Sequence, residues 1–207
     1  MSIEGSISRE RIGILGGSFN PPTIAHLMLA EHIAGRYADQ VMFMPVGDLY
    51  EKSGLVTSVH RLKMLELAIG SNPRFSLSVL EAEQSGRGYT IDTLRALQKT
   101  YPYAELLFMV GSDHLAGLPY WYKIVELLSE FKILLLTRAE DNPTDEINAN
   151  TMLKRYSDRI IIISDHPRSN LSSAAIREKI KLGESIRYLT ENSVMHYIHE
   201  HGLYMQD

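Results

Sequence analysis

The amino-acid sequence predicts an α/β protein with a doubly wound, mostly parallel sheet and additional helices at its C-terminal end. Short β-rich runs alternate with longer helical patterns along the chain, which is the order expected of βαβ units. Several of these runs are almost wholly apolar, as at residues 41–44 and 160–163. Such strands are typical of parallel sheets, because helices cover both faces of the sheet.

The predicted elements follow one another in a regular order. Strands are expected at residues 11–15, 41–46, 75–80, 106–110, 132–137 and 159–164. Helices are expected between them, at residues 24–37, 59–69, 91–100, 121–129 and 145–156. In the second helix Leu62, Leu65 and Ile69 share an apolar face, and the pattern directs Arg61 away from it. Two helices, at residues 173–182 and 190–201, follow the last strand with no strand between them.

Composition excludes several classes of site and partner. The 207 residues include no cysteine, which excludes disulfides, thiolate metal sites and a cysteine nucleophile. The net charge of −4 lacks the basic excess typical of nucleic-acid binding, although a local cationic pocket remains compatible with it. The first ten residues lack the apolar stretch of a signal peptide, and the longest apolar runs have strand length. We therefore expect a single domain over residues 1–207, in the cytoplasm, without membrane or nucleic-acid partners.

A glycine turn follows the first predicted strand. Gly16, Gly17 and Ser18 precede a helix that begins near Ile24. In open parallel sheets ligands bind beyond the carboxyl ends of the strands, and a glycine turn before a helix lets backbone N–H groups approach phosphate oxygens. A turn required only for close strand–helix packing is the alternative.

Two common phosphate-binding motifs do not fit this turn. No glycine in the chain precedes a lysine, which excludes a Walker P-loop. The glycine spacing from Gly13 onward does not match the Gly-x-Gly-x-x-Gly dinucleotide motif. Asp48, near the end of the second strand, leaves a dehydrogenase as a minor alternative, but Pro21 and Pro22 make an unusual path into the helix for that class.

Residues 16–26 instead resemble the nucleotidyltransferase superfamily, in which a glycine turn leads to a His/Thr-x-Gly-His element. Thr23 and His26 occupy its first and last positions, and Ala25 replaces the usual glycine. A second resemblance lies at Ser172–Arg177, which is similar to the superfamily's Ser-Ser-Thr-x-Ile-Arg motif, with Ala174 in place of threonine. Serines at a helix start donate to anions, and Arg177 lies one turn later, although an ordinary capped helix has the same pattern.

The resemblance narrows to the nicotinate and nicotinamide mononucleotide adenylyltransferases, and it extends over nearly the whole chain. Tyr89 and Thr90 match a Ser-Tyr-Thr-x-Asp-Thr-Leu element in which Gly88 replaces the serine. The resemblance implies that Gly111 and Asp113 hold the ATP ribose. It also implies that Trp121, the only tryptophan, stacks on the pyridine ring. From the residues alone, Tyr89 and Thr90 are equally compatible with a helix cap, and Trp121 with a core position.

The segment after the second strand leaves open whether the acceptor is nicotinate or nicotinamide mononucleotide. Residues 45–55 are more similar to the eukaryotic nicotinamide enzymes than to many bacterial nicotinate enzymes. That similarity implies a phosphate contact for Lys52 and an acceptor contact for Asp48. A solvated charged loop is the simpler alternative.

The resemblance implies attack by the mononucleotide phosphate on the α-phosphorus of ATP, with release of pyrophosphate. The implied catalytic residues are His26 and Arg177. The implied ATP-binding residues are Gly16, Gly17, Ser18, Phe19, Thr23, His26, Gly111, Asp113, Ser173 and Arg177. The implied mononucleotide-binding residues are Asp48, Lys52, Tyr89, Thr90 and Trp121. Mg²⁺ is expected on the ATP phosphates, with no protein metal site, because the histidines near residues 196–201 lie in a pattern of helix packing. Transfer to another phosphate acceptor, or a non-catalytic nucleotide-binding module, remains an alternative.

Overall fold

The structure is a computed structural model that describes residues 9–49, 54–70, 72–83, 88–138 and 142–205. Its strands are β1 Arg11–Gly17, β2 Gln40–Pro45, β3 Phe75–Leu77, β4 Glu105–Gly111, β5 Lys132–Leu136 and β6 Ile160–Ile163. Its helices are α1 Ile24–Ile33, α2 Ser58–Ile69, α3 Thr90–Thr100, α4 Ile124–Glu130, α5 Pro143–Ala149, α6 Thr151–Arg155, α7 Ser173–Lys181 and α8 Asn192–Glu200. Short 3₁₀ turns cover Ser112–His114, Leu118–Tyr120 and Ser157–Arg159.

The six strands form one sheet in the order β3-β2-β1-β4-β5-β6, and every neighbouring pair is parallel. The predicted α/β class, the parallel sheet and the C-terminal helices are confirmed. The strand order reverses direction between β1 and β4, whose register pairs Leu15 with Met109. The carboxyl ends of β1 and β4 therefore lie side by side, where open α/β sheets bind ligands.

Three apolar clusters hold the layers together. One joins the sheet to α3, α4, α5 and α6, and a second joins its opposite face mainly to α1. The third packs α2 against α7, α8 and the segment after each of them. The C-terminal helices are thus fixed to α2, beside the end of the sheet where β1 and the following loop lie. Among the described residues, no helix is both long enough and apolar enough to cross a membrane.

Several predicted boundaries differ from the structure for local reasons. α1 ends at Ile33 and not at residue 37, and Gly35 follows it with a φ of 93°. The helix expected from residue 121 begins at Ile124, because Lys123 adopts a left-handed conformation with a φ of 51°. The helix expected over residues 145–156 is divided in two at Asn150, whose side chain accepts hydrogen bonds from the amides of Met152 and Leu153. The expected strand 75–80 ends at Leu77.

The predicted orientation of Arg61 is wrong. Arg61 lies on α2 with none of its surface exposed, although the helical pattern placed it on the polar side. Its guanidinium donates to three oxygens: the carbonyls of Val56 and Ser18, at 3.0 and 3.2 Å, and Asp48 Oδ1 at 2.9 Å. These bonds satisfy the charge that burial would otherwise destabilise.

Candidate active site

The glycine loop, defined here as residues 16–22, connects β1 to α1. Gly17 lies close over the ring of Phe19, since a Cβ at Gly17 would approach that ring to 3.1 Å. Phe19 is almost fully buried with a φ of 45°, and its ring packs edge-on against His26, with 5.1 Å between the centroids. The turn is therefore built around a buried aromatic ring that lies beneath the backbone of the loop.

Thr23 and His26 form a capping box at the start of α1. The Thr23 hydroxyl accepts the His26 amide at 3.3 Å, and the Thr23 amide donates to His26 Nδ1 at 2.9 Å. The Thr23 hydroxyl also lies 2.9 Å from Nδ1. Because Nδ1 accepts the amide proton, the proton of a neutral His26 ring lies on Nε2. The capping box thus makes Nε2 the ring nitrogen that carries the proton.

Three consecutive carbonyls of the glycine loop accept hydrogen bonds from the C-terminal part of the chain. Arg177 Nη1 donates to the Asn20 carbonyl at 2.8 Å, and Ser173 Oγ donates to the Pro21 carbonyl at 2.7 Å. Thr190 Oγ1 donates to the Pro22 carbonyl at 2.8 Å. Ser172 caps α7 by accepting the Ala175 amide at 3.1 Å. The structure therefore brings Ser173 and Arg177 against the glycine loop, as a clamp on its backbone.

Thr190 was not anticipated as a site residue. It is 3% exposed, and the sequence offers only a threonine at the start of a predicted helix. Its hydrogen bond to Pro22 spans 168 residues of chain, so no local pattern could reveal it.

Gly111 and Asp113 lie at the carboxyl end of β4, beside the end of β1. A Cβ on Gly111 would overlap Asp113 Oδ1, so glycine is needed for the carboxylate to fold back over the strand end. Asp113 forms an exposed ion pair with Arg138 at 2.9 Å, and the Arg138 amide donates to Ser112 Oγ at 3.2 Å. The loops after β4 and β5 are thereby connected at this edge of the sheet.

A small cavity of about 210 Å³ lies at the start of α3 and is lined by Gly88, Tyr89, Thr90, Trp121 and Tyr122. Tyr89 stacks on Tyr122, with 4.1 Å between the centroids, and Tyr122 was not singled out from the sequence. The structure thus brings together three residues that the resemblance assigns to the mononucleotide.

A larger cavity of about 450 Å³ lies between β3 and the end of α3, lined mainly by apolar side chains such as Leu77, Leu80 and Leu97. It contains none of the residues predicted to bind ATP or the mononucleotide. The smaller cavity therefore fits the sequence-based site better, since its aromatic and polar lining comes from the predicted residues.

Asp48 does not line the cavity at α3. Its carboxylate accepts the Ser58 amide at 2.6 Å and the Ser58 hydroxyl at 3.0 Å, in addition to Arg61. These bonds connect the loop after β2 to the start of α2, where a carboxylate is favourable to the helix dipole. Lys52 lies outside the described residues. In the part of the chain that the structure describes, no group of three or more His, Cys, Asp or Glu side chains could hold a metal ion.

Comparison with known proteins gives one consistent family. Residues 14–179 match the cytidylyltransferase-like family. The chain is 35% identical to the nicotinate-nucleotide adenylyltransferase of Bacillus subtilis, over 94% of this chain and 98% of that protein. It is 38% identical to a Synechococcus protein named probable nicotinate-nucleotide adenylyltransferase, over 97% of this chain and all of that one.

Solved structures show the same fold. The structure of a Plasmodium falciparum nicotinic acid mononucleotide adenylyltransferase complexed with NaAD superposes with a TM-score of 0.74 at 22% identity. The superposition covers 94% of this chain and 97% of that one.

Proposed function

Because this chain belongs to the cytidylyltransferase-like family, and within it to the nicotinate-nucleotide adenylyltransferases, we propose that it transfers AMP from ATP to nicotinate mononucleotide in NAD biosynthesis. The relatives at 35–38% identity carry the nicotinate name, which favours nicotinate over nicotinamide as the acceptor. The single observation that carries the proposal is the glycine loop, with the capping box of His26 on one side and the donors of α7 on the other.

The reaction needs one bond to form and one to break. A phosphate oxygen of the mononucleotide attacks the α-phosphorus of ATP, and the bond from that phosphorus to the bridging oxygen breaks, so that pyrophosphate leaves. Such a transfer depends on placement and on stabilising the charge that develops on the phosphoryl oxygens. In this mechanism His26 donates from Nε2 to those oxygens, and the tautomer imposed by Thr23 supports that role.

The remaining proposed ATP contacts lie at the carboxyl ends of β1 and β4 and at the start of α7. The backbone at Gly16, Gly17, Ser18 and Phe19 faces the phosphates. Ser173 and Arg177 act from α7, with Arg177 supplying positive charge next to the loop. Thr23 holds His26, and Gly111 and Asp113 receive the ribose at the end of β4.

The acceptor site belongs to the cavity at α3. Trp121 and Tyr89 supply aromatic surface for the pyridine ring, and Thr90 supplies polar contacts at the helix start. Lys52 and Asp48 remain proposed contacts of the mononucleotide from the loop after β2.

Mg²⁺ belongs to the same proposal. It neutralises phosphate charge when bound, and it keeps water and phosphate oxygens as most of its ligands because it dehydrates reluctantly. The task of the chain is then to orient the phosphates. We also propose that residues 1–207 act as one catalytic domain, since α7 and Thr190 bond directly to the loop after β1.

Pyrophosphate release with ATP and Mg²⁺ tests the proposal. We expect turnover with nicotinate mononucleotide, and slower turnover with nicotinamide mononucleotide, with the dinucleotide identified by mass. His26→Ala should lower kcat by about 100-fold or more, the usual effect of removing one donor to a developing charge. His199→Ala, an exposed histidine on α8, is the matched control and should leave kcat unchanged. Near-normal turnover by His26→Ala would contradict the mechanism, and inactivity with both acceptors would contradict the function.

A further inference from the structure

Asn20 lies in the glycine loop with none of its surface exposed, and its side chain bonds to several other segments. Its side-chain Nδ2 donates to the Gly54 carbonyl at 2.8 Å. Its Oδ1 accepts the Val56 amide at 3.3 Å and the Tyr204 hydroxyl at 2.8 Å. Every polar atom of the side chain therefore fixes the loop, and the shortest bond to Oδ1 comes from the last turn of the chain.

The end of α8 directs Tyr204 into this position. The Gly202 amide donates to the His199 carbonyl and the Leu203 amide to the Ile198 carbonyl, which together form a Schellman motif. Gly202 has the left-handed conformation that the motif needs, with a φ of 59°. Leu203 and Ile198 are both buried in the cluster between α2 and α8. The motif reverses the chain, and Tyr204 follows it with a φ of 66°.

The Tyr204 hydroxyl is held in its neutral, donating form. Burial raises the pKa of this hydroxyl well above its usual range, against a smaller opposing effect of Arg177 and Arg61. Among the described residues, the hydroxyl also has Met64 Sδ in range at 4.0 Å, a much weaker acceptor than Asn20 Oδ1. The one proton of the hydroxyl is therefore directed at Asn20.

We propose that Tyr204 is a positioning residue for ATP: through Asn20 it holds the glycine loop in the shape that receives the phosphates. The inference rests on the proposed function in so far as this loop binds ATP. Asn20 is adjacent to Phe19, whose left-handed backbone sets the path of the loop. Losing the bond from Tyr204 leaves Oδ1 with the longer contact to the Val56 amide and lets residues 18–22 move.

Tyr204→Phe isolates the hydroxyl, because the ring and its packing remain. Tyr197→Phe is the matched control, since Tyr197 on α8 also loses a hydroxyl that bonds within the protein, to His60 Nδ1 at 2.9 Å, without touching the loop. Binding of a non-hydrolysable ATP analogue is measured by calorimetry, together with urea unfolding and amide exchange of residues 18–20, since Pro21 and Pro22 have no amide hydrogen. The KM for ATP and kcat are measured separately.

For Tyr204→Phe we expect a Kd and a KM for ATP about 3- to 10-fold higher, the effect of one hydrogen bond, with kcat within about 2-fold of wild type. Amide exchange at residues 18–20 should accelerate. Tyr197→Phe should change neither binding nor exchange at the loop. Unchanged analogue binding by Tyr204→Phe, or equal weakening by both variants, would overturn the inference. The two proposals can fail separately. If the wild-type protein binds the analogue but transfers AMP to neither pyridine mononucleotide, the proposed function is contradicted. The binding of the analogue by Tyr204→Phe and Tyr197→Phe then still decides the role of Tyr204.

Discussion

The pKa values of two glutamates, Glu81 and Glu130, are shifted in opposite directions by their surroundings. Glu81, in the segment between β3 and α3, is partly buried, and burial raises its pKa above 4.5, partly offset by the hydrogen bond from the Thr93 hydroxyl at 2.9 Å. Glu130, at the end of α4, accepts hydrogen bonds from Arg95, which lowers its pKa below 4.5. The two glutamates should therefore contribute to stability with opposite dependence on pH.

Glu81→Gln tests the first environment. A raised pKa in the folded state means that stability is highest below the unfolded value of 4.5 and falls as pH rises through the folded pKa. Glutamine does not titrate and can still accept from Thr93. The unfolding free energy of Glu81→Gln relative to wild type should therefore increase with pH above 4.5, as measured by urea unfolding in a pH series.

Glu130→Gln is the counterpart with the opposite sign. Its lowered pKa gives stability that is present above 4.5 and lost as pH falls through the folded pKa. The variant should therefore lose stability relative to wild type as pH rises to 4.5. Parallel pH profiles for the two variants would contradict both assignments.

Helices α7 and α8 end in the same backbone geometry, but the segments that follow them lead to different parts of the molecule. Both end in a Schellman motif, at Gly183 with a φ of 69° and at Gly202 with a φ of 59°. A Cβ at either glycine would meet nothing within 4 Å, so an alanine there is disfavoured by backbone conformation alone. Only the turn at Gly202 leads to Tyr204.

Gly202→Ala and Gly183→Ala should each lower the unfolding free energy by about 1 kcal/mol, the usual cost of a left-handed alanine. Gly202→Ala should in addition weaken binding of the ATP analogue, because it changes the path of the chain into Tyr204. Because the two variants should lose the same stability, calorimetric titration of each with the ATP analogue separates the effect on binding from the effect on stability. Equal binding by both would show that the turn after α8 does not affect the loop.

The order and type of the helices and strands could be predicted from the sequence, because each has a strong local pattern of apolar residues. Some of their boundaries could not be predicted. Lys123 delays the start of α4, and Asn150 divides the next helix in two, although both sequences otherwise favour a helix. Arg61 occupies a polar position in the periodic pattern of α2, and its buried guanidinium donates to three oxygens that lie outside the helix. Contacts across the chain therefore override local periodicity at these positions.

For the molecule as a whole, Arg61 joins three segments that the sequence treats separately. It connects the glycine loop through Ser18, the segment before α2 through Val56, and the loop after β2 through Asp48. The motifs at residues 16–26 and 172–177 were evident from the sequence because their residues are close together. The roles of Thr190, Tyr204 and Arg61 could not be predicted, because their partners are defined only by the folded chain.

Asp48→Ala tests the ion pair of this network, together with the two hydrogen bonds that Asp48 accepts from Ser58. The pair has a fully buried guanidinium and a carboxylate that is 49% exposed, so water replaces part of the lost interaction. We expect the unfolding free energy to fall by about 2 kcal/mol. Glu66→Ala breaks an exposed pair with Lys63 on the same helix and should cost less than about 0.5 kcal/mol. Equal losses in urea unfolding would contradict the importance assigned to Arg61.

The clamp on the glycine loop also sets when the site can exist during synthesis. The hydrogen bonds from Ser173, Arg177, Thr190 and Tyr204 reach back 152, 157, 168 and 184 residues. A growing chain makes the loop directly after β1, and it has none of these donors until all six strands have been translated. A chain interrupted before residue 173 would therefore have the complete sheet but none of the four contacts that hold the glycine loop.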